Sequence, residues 1–159
     1  MSSPHHLEDE IAWRRMFASQ ANNRAWALTE QLTRTPEEDQ EMLDAAHASM
    51  HLWRPIGNDK NYRLGCLLLG QVHALLGNAS YAIDYASSAF DYFEVQICEP
   101  WEMALAHAVL ANAAHCADDE LRHALHYRAA QALIDALPDP EEKDILLATL
   151  RVVPALSAA

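Results

Sequence analysis

Helix-start signals recur along the chain and constrain its fold more than any other feature of the sequence. Residues 35–38 (Thr-Pro-Glu-Glu) place a capping hydroxyl before a proline at the first helical position, followed by a glutamate that can close a capping box. Residues 139–142 (Asp-Pro-Glu-Glu) repeat this order, and residues 99–102 (Glu-Pro-Trp-Glu) are a weaker version of it. Gly57 and Gly77 each precede an asparagine, which is typical of a glycine that ends one helix where the next segment begins.

These signals divide the chain into seven predicted helices with short connections. Short connections force successive helices to pack antiparallel. We therefore expect a single all-α domain over residues 1–159, built as a stack of antiparallel helix hairpins, with flexible ends at about 1–6 and 155–159. The predicted helices span about 8–33, 36–53, 59–76, 79–96, 100–117, 119–137 and 140–151.

The composition excludes several other classes of protein. The 159 residues include 29 alanines and only 4 glycines, which argues against a β-sandwich or barrel. A hydrophobic fraction of 51% is too high for a disordered chain. The net charge of −12 has the wrong sign for a protein that grips a phosphate backbone. Much of that negative charge lies in predicted first turns, so we interpret it as capping rather than as an acidic docking face.

The sequence carries no sign of membrane insertion or secretion. No apolar run approaches the roughly 20 residues of a bilayer span. The first residues lack the positive segment and apolar core of a signal peptide. Three widely spaced cysteines, Cys66, Cys98 and Cys116, favour free thiols in a reducing compartment. We therefore expect a cytoplasmic protein with neither a membrane nor a nucleic acid as its partner.

Residues 69–90 follow a spacing of small residues that brings two helices close together. Leu69 and Gly70 form a Leu-Gly pair, Gly77 lies at the turn, and Ala82 and Ala89 occupy small positions on the next helix. Gly70 and Ala82 lack the bulk that would hold the two helices apart. This stretch resembles a tetratricopeptide repeat.

The resemblance has departures, and it is weaker in the second half of the chain. In the first repeat His73 stands where an aromatic residue is usual, Ala86 where a larger residue is usual, and Glu94 replaces the terminal proline. A second match runs through residues 104–137, where Ala111 and Ala124 take small positions and the turn has one extra residue.

The resemblance implies a right-handed α–α superhelix whose concave face is lined by the first helix of each pair. Such a groove accepts an amphipathic helix or an extended peptide. The alternative is that the long first helix packs into this groove and fills it. The implied groove residues are Leu64, Leu67, Gln71, Ala74, Leu75, Trp101, Leu105, Ala108, Asn112 and His115.

No catalytic constellation accompanies this architecture. The sequence has no GxSxG, no Gly-rich phosphate loop and no HExxH. The leading hypothesis is a non-enzymatic helical-repeat module that requires no cofactor and binds a protein, a peptide or a second copy of itself. The rival hypothesis is a small-molecule or metal-binding bundle, which could be an enzyme, that uses His47 and His51. These histidines lie at i and i+4 on one predicted helix, and Glu41 or Asp44 nearby could add a carboxylate. His47 also falls on an apolar stripe, so its other interpretation is a core histidine.

Overall fold

A computed structural model describes residues 4–157 of the chain. It confirms the all-α class: the described residues form seven helices and no strand. The helices are α1 (Pro4–Thr29), α2 (Pro36–Trp53), α3 (Asp59–Leu75), α4 (Ala79–Val95), α5 (Pro100–Cys116), α6 (Glu120–Asp135) and α7 (Pro140–Arg151).

The capping residues that the sequence singles out begin their helices as expected. At α2 the Glu38 backbone N–H donates to the Thr35 hydroxyl at 3.2 Å, and the Glu38 carboxylate accepts from the Thr35 N–H at 2.8 Å. At α7 the Asp139 carboxylate accepts from the Glu141 N–H at 2.9 Å. Part of the acidic excess therefore satisfies backbone donors at helix starts.

The start of α5 also joins it to α3. The Glu102 carboxylate accepts from the Glu99 N–H at 2.9 Å, and its other oxygen pairs with the Lys60 ammonium in the first turn of α3. The Glu102 side chain is fully buried, whereas Lys60 is about half exposed. A buried carboxylate requires such partners because an unpaired buried charge is strongly unfavourable.

Successive helices pack in neighbouring pairs around α3 and α5. The residues of the central stretch of α3, from Cys66 to Ala74, are all buried, and α5 is buried almost throughout. Gly70 allows this close packing, since a Cβ added there would lie 3.1 Å from the Ala86 backbone nitrogen and 3.2 Å from Val109 Cγ1. The small Ala86, which departs from the repeat pattern, is thus the residue that Gly70 faces.

The first helix differs from its predicted bounds and from its predicted buried stripe. It ends at Thr29 rather than near residue 33, because Arg34 folds back and donates to the carbonyl oxygens of Leu28 and Gln31 at 3.3 and 2.9 Å. Ala25 and Leu28 are buried as the helical periodicity predicts. In the sequence Trp13, Phe17 and Leu32 recur with them at three- and four-residue steps, which predicts one buried stripe, but these three side chains are exposed.

The predicted flexible ends lie partly outside the described residues. Within them, residues 4–6 belong to α1. None of the described helices combines the length and the hydropathy that crossing a bilayer would require.

Candidate functional site

The candidate site is a cleft enclosed by α1, α3, α5 and α7. Its volume is about 320 Å³. The helices α3 and α5 pack directly on each other and form its floor, while α1 lies against α3 on one side and α7 lies against α5 on the other. The residues that line it are Asn22, Asn23, Trp26, Glu30, Leu64, Trp101, Leu105, Ile145, Leu146 and Thr149.

Three of the ten implied groove residues line this cleft: Leu64, Trp101 and Leu105. Trp101 lies in the first turn of α5, and Leu64 and Leu105 lie in the second turns of α3 and α5. The indole of Trp101 and the side chain of Leu64 are half-buried, so the floor remains accessible.

The other implied groove residues do not line the cleft. Leu67 and Ala108 are completely buried where α3 meets α5. Gln71 and Asn112 are buried beside them and form a cross-helix hydrogen bond, in which the Asn112 amide donates to Gln71 Oε1 at 3.0 Å. This amide pair belongs to the interior, because close packing of α3 on α5 leaves no groove at that level. The remaining three, Ala74, Leu75 and His115, lie near the far ends of α3 and α5.

The first helix forms one side of the cleft and does not fill it. It packs chiefly along α2, to which it is tied by the Arg24 guanidinium and the Glu41 carboxylate, with the closest N–O distance at 2.6 Å. This attachment places Asn22, Trp26 and Glu30 along one side of the cleft. The residues that α7 contributes face them from the other side.

The cleft combines two indoles and aliphatic side chains with one acidic group. Burial raises the pKa of the Glu30 carboxyl, and the positive charge of Arg151 partly offsets this rise. Arg151 donates to the backbone carbonyl oxygen of Glu30 at 3.2 Å. A partly desolvated carboxylate at the edge of an aromatic cleft favours a cationic group on whatever binds there.

Sequence reasoning missed the two outer sides of the cleft. In the sequence Trp26 is one of four tryptophans, and such a residue indicates only an anchor in a core or at a rim. The sequence spacing of Ile145, Ala148 and Val152 predicts the packed side of a helix that caps the stack. In the structure Ile145 is 61% exposed, and the buried face of α7 consists of Leu146, Thr149 and Leu150. Helical periodicity identifies an apolar stripe but does not reveal which distant helix lies opposite it.

The two histidines of the rival hypothesis do not form a metal site in the described part of the chain. His47 and His51 are both exposed on α2, so His47 is not a core histidine. His47 lies near His73 of α3, with ring centroids 6.0 Å apart. Across residues 4–157, no three His, Cys, Asp or Glu side chains come together in a group able to hold a metal ion.

A second pair of histidines joins α5 to α6. The Nδ1 atoms of His107 and His126 lie 2.9 Å apart in a hydrogen bond, and Phe90 packs edge-on against both rings. Burial is the main cause that lowers the pKa of both imidazoles, and it lowers the pKa of His126 to about 4, with the nearby His107 contributing. Both rings are therefore neutral at physiological pH, which suits a structural contact between helices.

The three cysteines carry no disulfide. Cys66 is buried, and Cys98 and Cys116 are half-buried. Burial raises the pKa of all three thiols, which disfavours the nucleophilic thiolate.

Comparison of the chain with protein-family models, with curated proteins and with solved structures found no match.

Proposed function

We propose that the chain is a tetratricopeptide-like helical-repeat module that binds a short peptide segment of a partner protein in the cleft between α1 and α7. The observation that carries this proposal is that Trp26 and Trp101 both line an accessible, mainly apolar cleft that also contains Glu30. Tryptophan is among the residues most enriched in the energetically dominant parts of protein interfaces.

The close contacts of the repeat support the architectural part of the proposal. Gly70 lies against both Ala86 and Val109, so one missing side chain allows α3 to approach α4 and α5 together. Gly77 adopts a φ of +76° at the turn between α3 and α4. These are the roles that the repeat pattern assigns to a packing glycine and a turn glycine.

The size and charge of the cleft define the peptide it suits. A volume of about 320 Å³ is at the low end of the range of about 300–1,000 Å³ that is typical of ligand sites. It suits one or two bulky side chains of an extended segment rather than the whole face of a helix. The Glu30 carboxylate and the net charge of −12 favour a lysine or arginine beside the apolar anchor.

Selection from a displayed library of random twelve-residue peptides tests this proposal. The folded wild-type chain should enrich peptides that combine an aromatic or large aliphatic residue with a basic one. Ile145→Gln should weaken the affinity of the selected peptides by about tenfold, because burial of one aliphatic side chain contributes about 1.5–3 kcal/mol. Leu121→Gln is the matched control, since Leu121 is 88% exposed on α6 and does not line the cleft.

A double-mutant cycle tests the expected role of Glu30. Replacement of Glu30 by Gln and of the peptide's basic residue by Gln should each weaken binding, and the double change should weaken it by less than the sum. Failure to enrich any peptide, or equal affinity for wild-type and Ile145→Gln proteins, would refute the proposal.

A further inference from the structure

The N-terminal third of α1 extends beyond the helix that supports it. The Ser49 hydroxyl donates to the Ala18 carbonyl oxygen at 3.0 Å, and Arg24 pairs with Glu41, which fixes the antiparallel register of α1 and α2. In this register the end of α2 at Trp53 is level with about residue 13 of α1. The preceding residues of α1, from Pro4 on, therefore project by about 13 Å at 1.5 Å per residue.

The projecting part of α1 and the turn that follows it expose large apolar side chains. Leu7 and Trp13 are each 58% exposed and Phe17 is 46% exposed. Ile11 and Met16 are exposed as well, and the Trp13 and Phe17 rings stack with their centroids 5.5 Å apart. Neighbouring exposed apolar side chains of this size mark an interaction surface.

The order of residues on this surface is self-complementary about Ala12. Equal steps on either side of Ala12 reach Ile11 and Trp13, then Glu10 and Arg14, and further out Leu7 and Phe17. These six residues lie on one broad face of the helix, since spacings of three and four residues bring side chains to the same side. Within one chain, the Glu10 carboxylate and the Arg14 guanidinium form an i,i+4 ion pair at 2.9 Å.

We propose that a second copy of this chain docks on this surface, with the two α1 helices antiparallel about a two-fold axis at the level of Ala12, on the side of the helix opposite the Ala12 methyl group. A two-fold axis presents the same surface on both partners, so residue i contacts residue j and residue j contacts residue i. In this arrangement each Glu10 faces the partner's Arg14, and each Leu7 faces the partner's Phe17. A parallel arrangement would instead place like charges opposite each other.

We assign this surface to a second copy because, when the same face is turned end to end, its acidic position lies opposite its basic position. A helix from an unrelated partner would need the same acidic and basic positions on an equally apolar face. The cleft remains free in this dimer, since the first cleft residue on α1 is Asn22, more than one turn beyond Phe17.

Charge reversal combined with mixing tests the proposed dimer by sedimentation velocity. Glu10→Arg places two arginines opposite each other at both symmetric contacts, and Arg14→Glu places two glutamates there. Each single variant should dimerise at least about tenfold more weakly than the wild type. An equimolar mixture of the two variants should recover an affinity within about threefold of the wild type, because every cross-chain contact then pairs opposite charges.

The mixture separates the contact between chains from effects within one helix. The i,i+4 repulsion inside each variant helix persists in the mixture, so recovery on mixing requires the other chain. The double variant Glu10→Arg/Arg14→Glu should also dimerise as the wild type does, whereas Trp13→Ala should weaken dimerisation by at least about tenfold. Ile97→Ala is the control, since Ile97 is fully exposed after α4 and should leave the dimer unchanged.

A wild-type chain that remains monomeric at about 0.5 mM would overturn the proposal. So would a mixture that associates no better than either single variant. Unchanged far-ultraviolet circular dichroism in every variant confirms that the measured losses come from the interface.

Discussion

Substitution at two equivalent helix ends should lower the stability of the protein in one case and leave it unchanged or slightly higher in the other. The helices α3 and α5 both end with a hydrogen bond from a backbone N–H to the carbonyl oxygen five residues earlier. After α3 the Asn78 N–H donates to the His73 carbonyl at 2.8 Å, and after α5 the Asp119 N–H donates to the Ala114 carbonyl at 2.9 Å. In each turn one residue adopts a positive φ, at +76° for Gly77 and +59° for Asp118.

The magnitude of each change follows from what surrounds the residue. A Cβ added at Gly77 would meet no atom within 4 Å, so Gly77→Ala loses stability only through its backbone conformation. That conformation costs about 1–2 kcal/mol for a residue with a Cβ. Asp118→Gly removes the corresponding strain, but aspartate tolerates this region better than alanine and glycine loses more chain entropy on folding. The expected gain is therefore smaller, about 0.5 kcal/mol.

Urea denaturation at pH 7 measures both changes in the free energy of unfolding. Gly77→Ala should lower it by about 1–2 kcal/mol, which corresponds to a decrease in Tm of about 2–8 °C in a chain of this size. Asp118→Gly should leave it unchanged or raise it slightly. If Gly77→Ala proves neutral, or if Asp118→Gly destabilises by more than 1 kcal/mol, the positive φ at these two positions does not control stability.

Two further predictions concern packing and pH. Gly70→Ala should be less stable than Gly65→Ala by about 1–2 kcal/mol in the same urea assay, because its Cβ meets rigid neighbours whereas that of Gly65 meets only the tip of Met50. Equal stabilities would contradict that reasoning. His126 has a folded pKa of about 4, below its ordinary value, so the stability it contributes is present above pH 6.5 and is lost as the pH falls from 6.5 towards 4. His126→Leu should therefore lose less stability than the wild type between pH 7 and 4.5, and an identical loss would argue against a neutral buried imidazole.

The helices could be predicted from the sequence because their signals are local. Thr35 and Asp139 cap α2 and α7, and each helix begins at the next residue, where the sequence predicts it. The end of α1 was less predictable, because it depends on Arg34, which reaches back over the chain to bind carbonyl oxygens. No periodic pattern encodes such a contact.

The cleft was only partly predictable because it depends on contacts between distant helices. The repeat pattern led to Leu64 and Leu105 on α3 and α5, but it also included Gln71 and Asn112, which the packing of these helices buries. Glu30 and Ile145 carry no repeat signature, and they line the same cleft only because the chain folds α1 and α7 onto opposite sides of the same two helices. The burial of a stripe is a property of its neighbours as well as of its own residues.

The indole signals of the four tryptophans provide the most direct test of the peptide-binding cleft. They lie in different places: Trp26 and Trp101 line the cleft, Trp13 is exposed near the start of α1, and Trp53 ends α2. In a ¹⁵N-labelled chain titrated with a peptide from the library selection, the indole N–H resonances of Trp26 and Trp101 should shift together. Those of Trp13 and Trp53 should remain in place. A titration that shifts Trp13 or Trp53 while Trp26 and Trp101 remain unchanged would contradict the account.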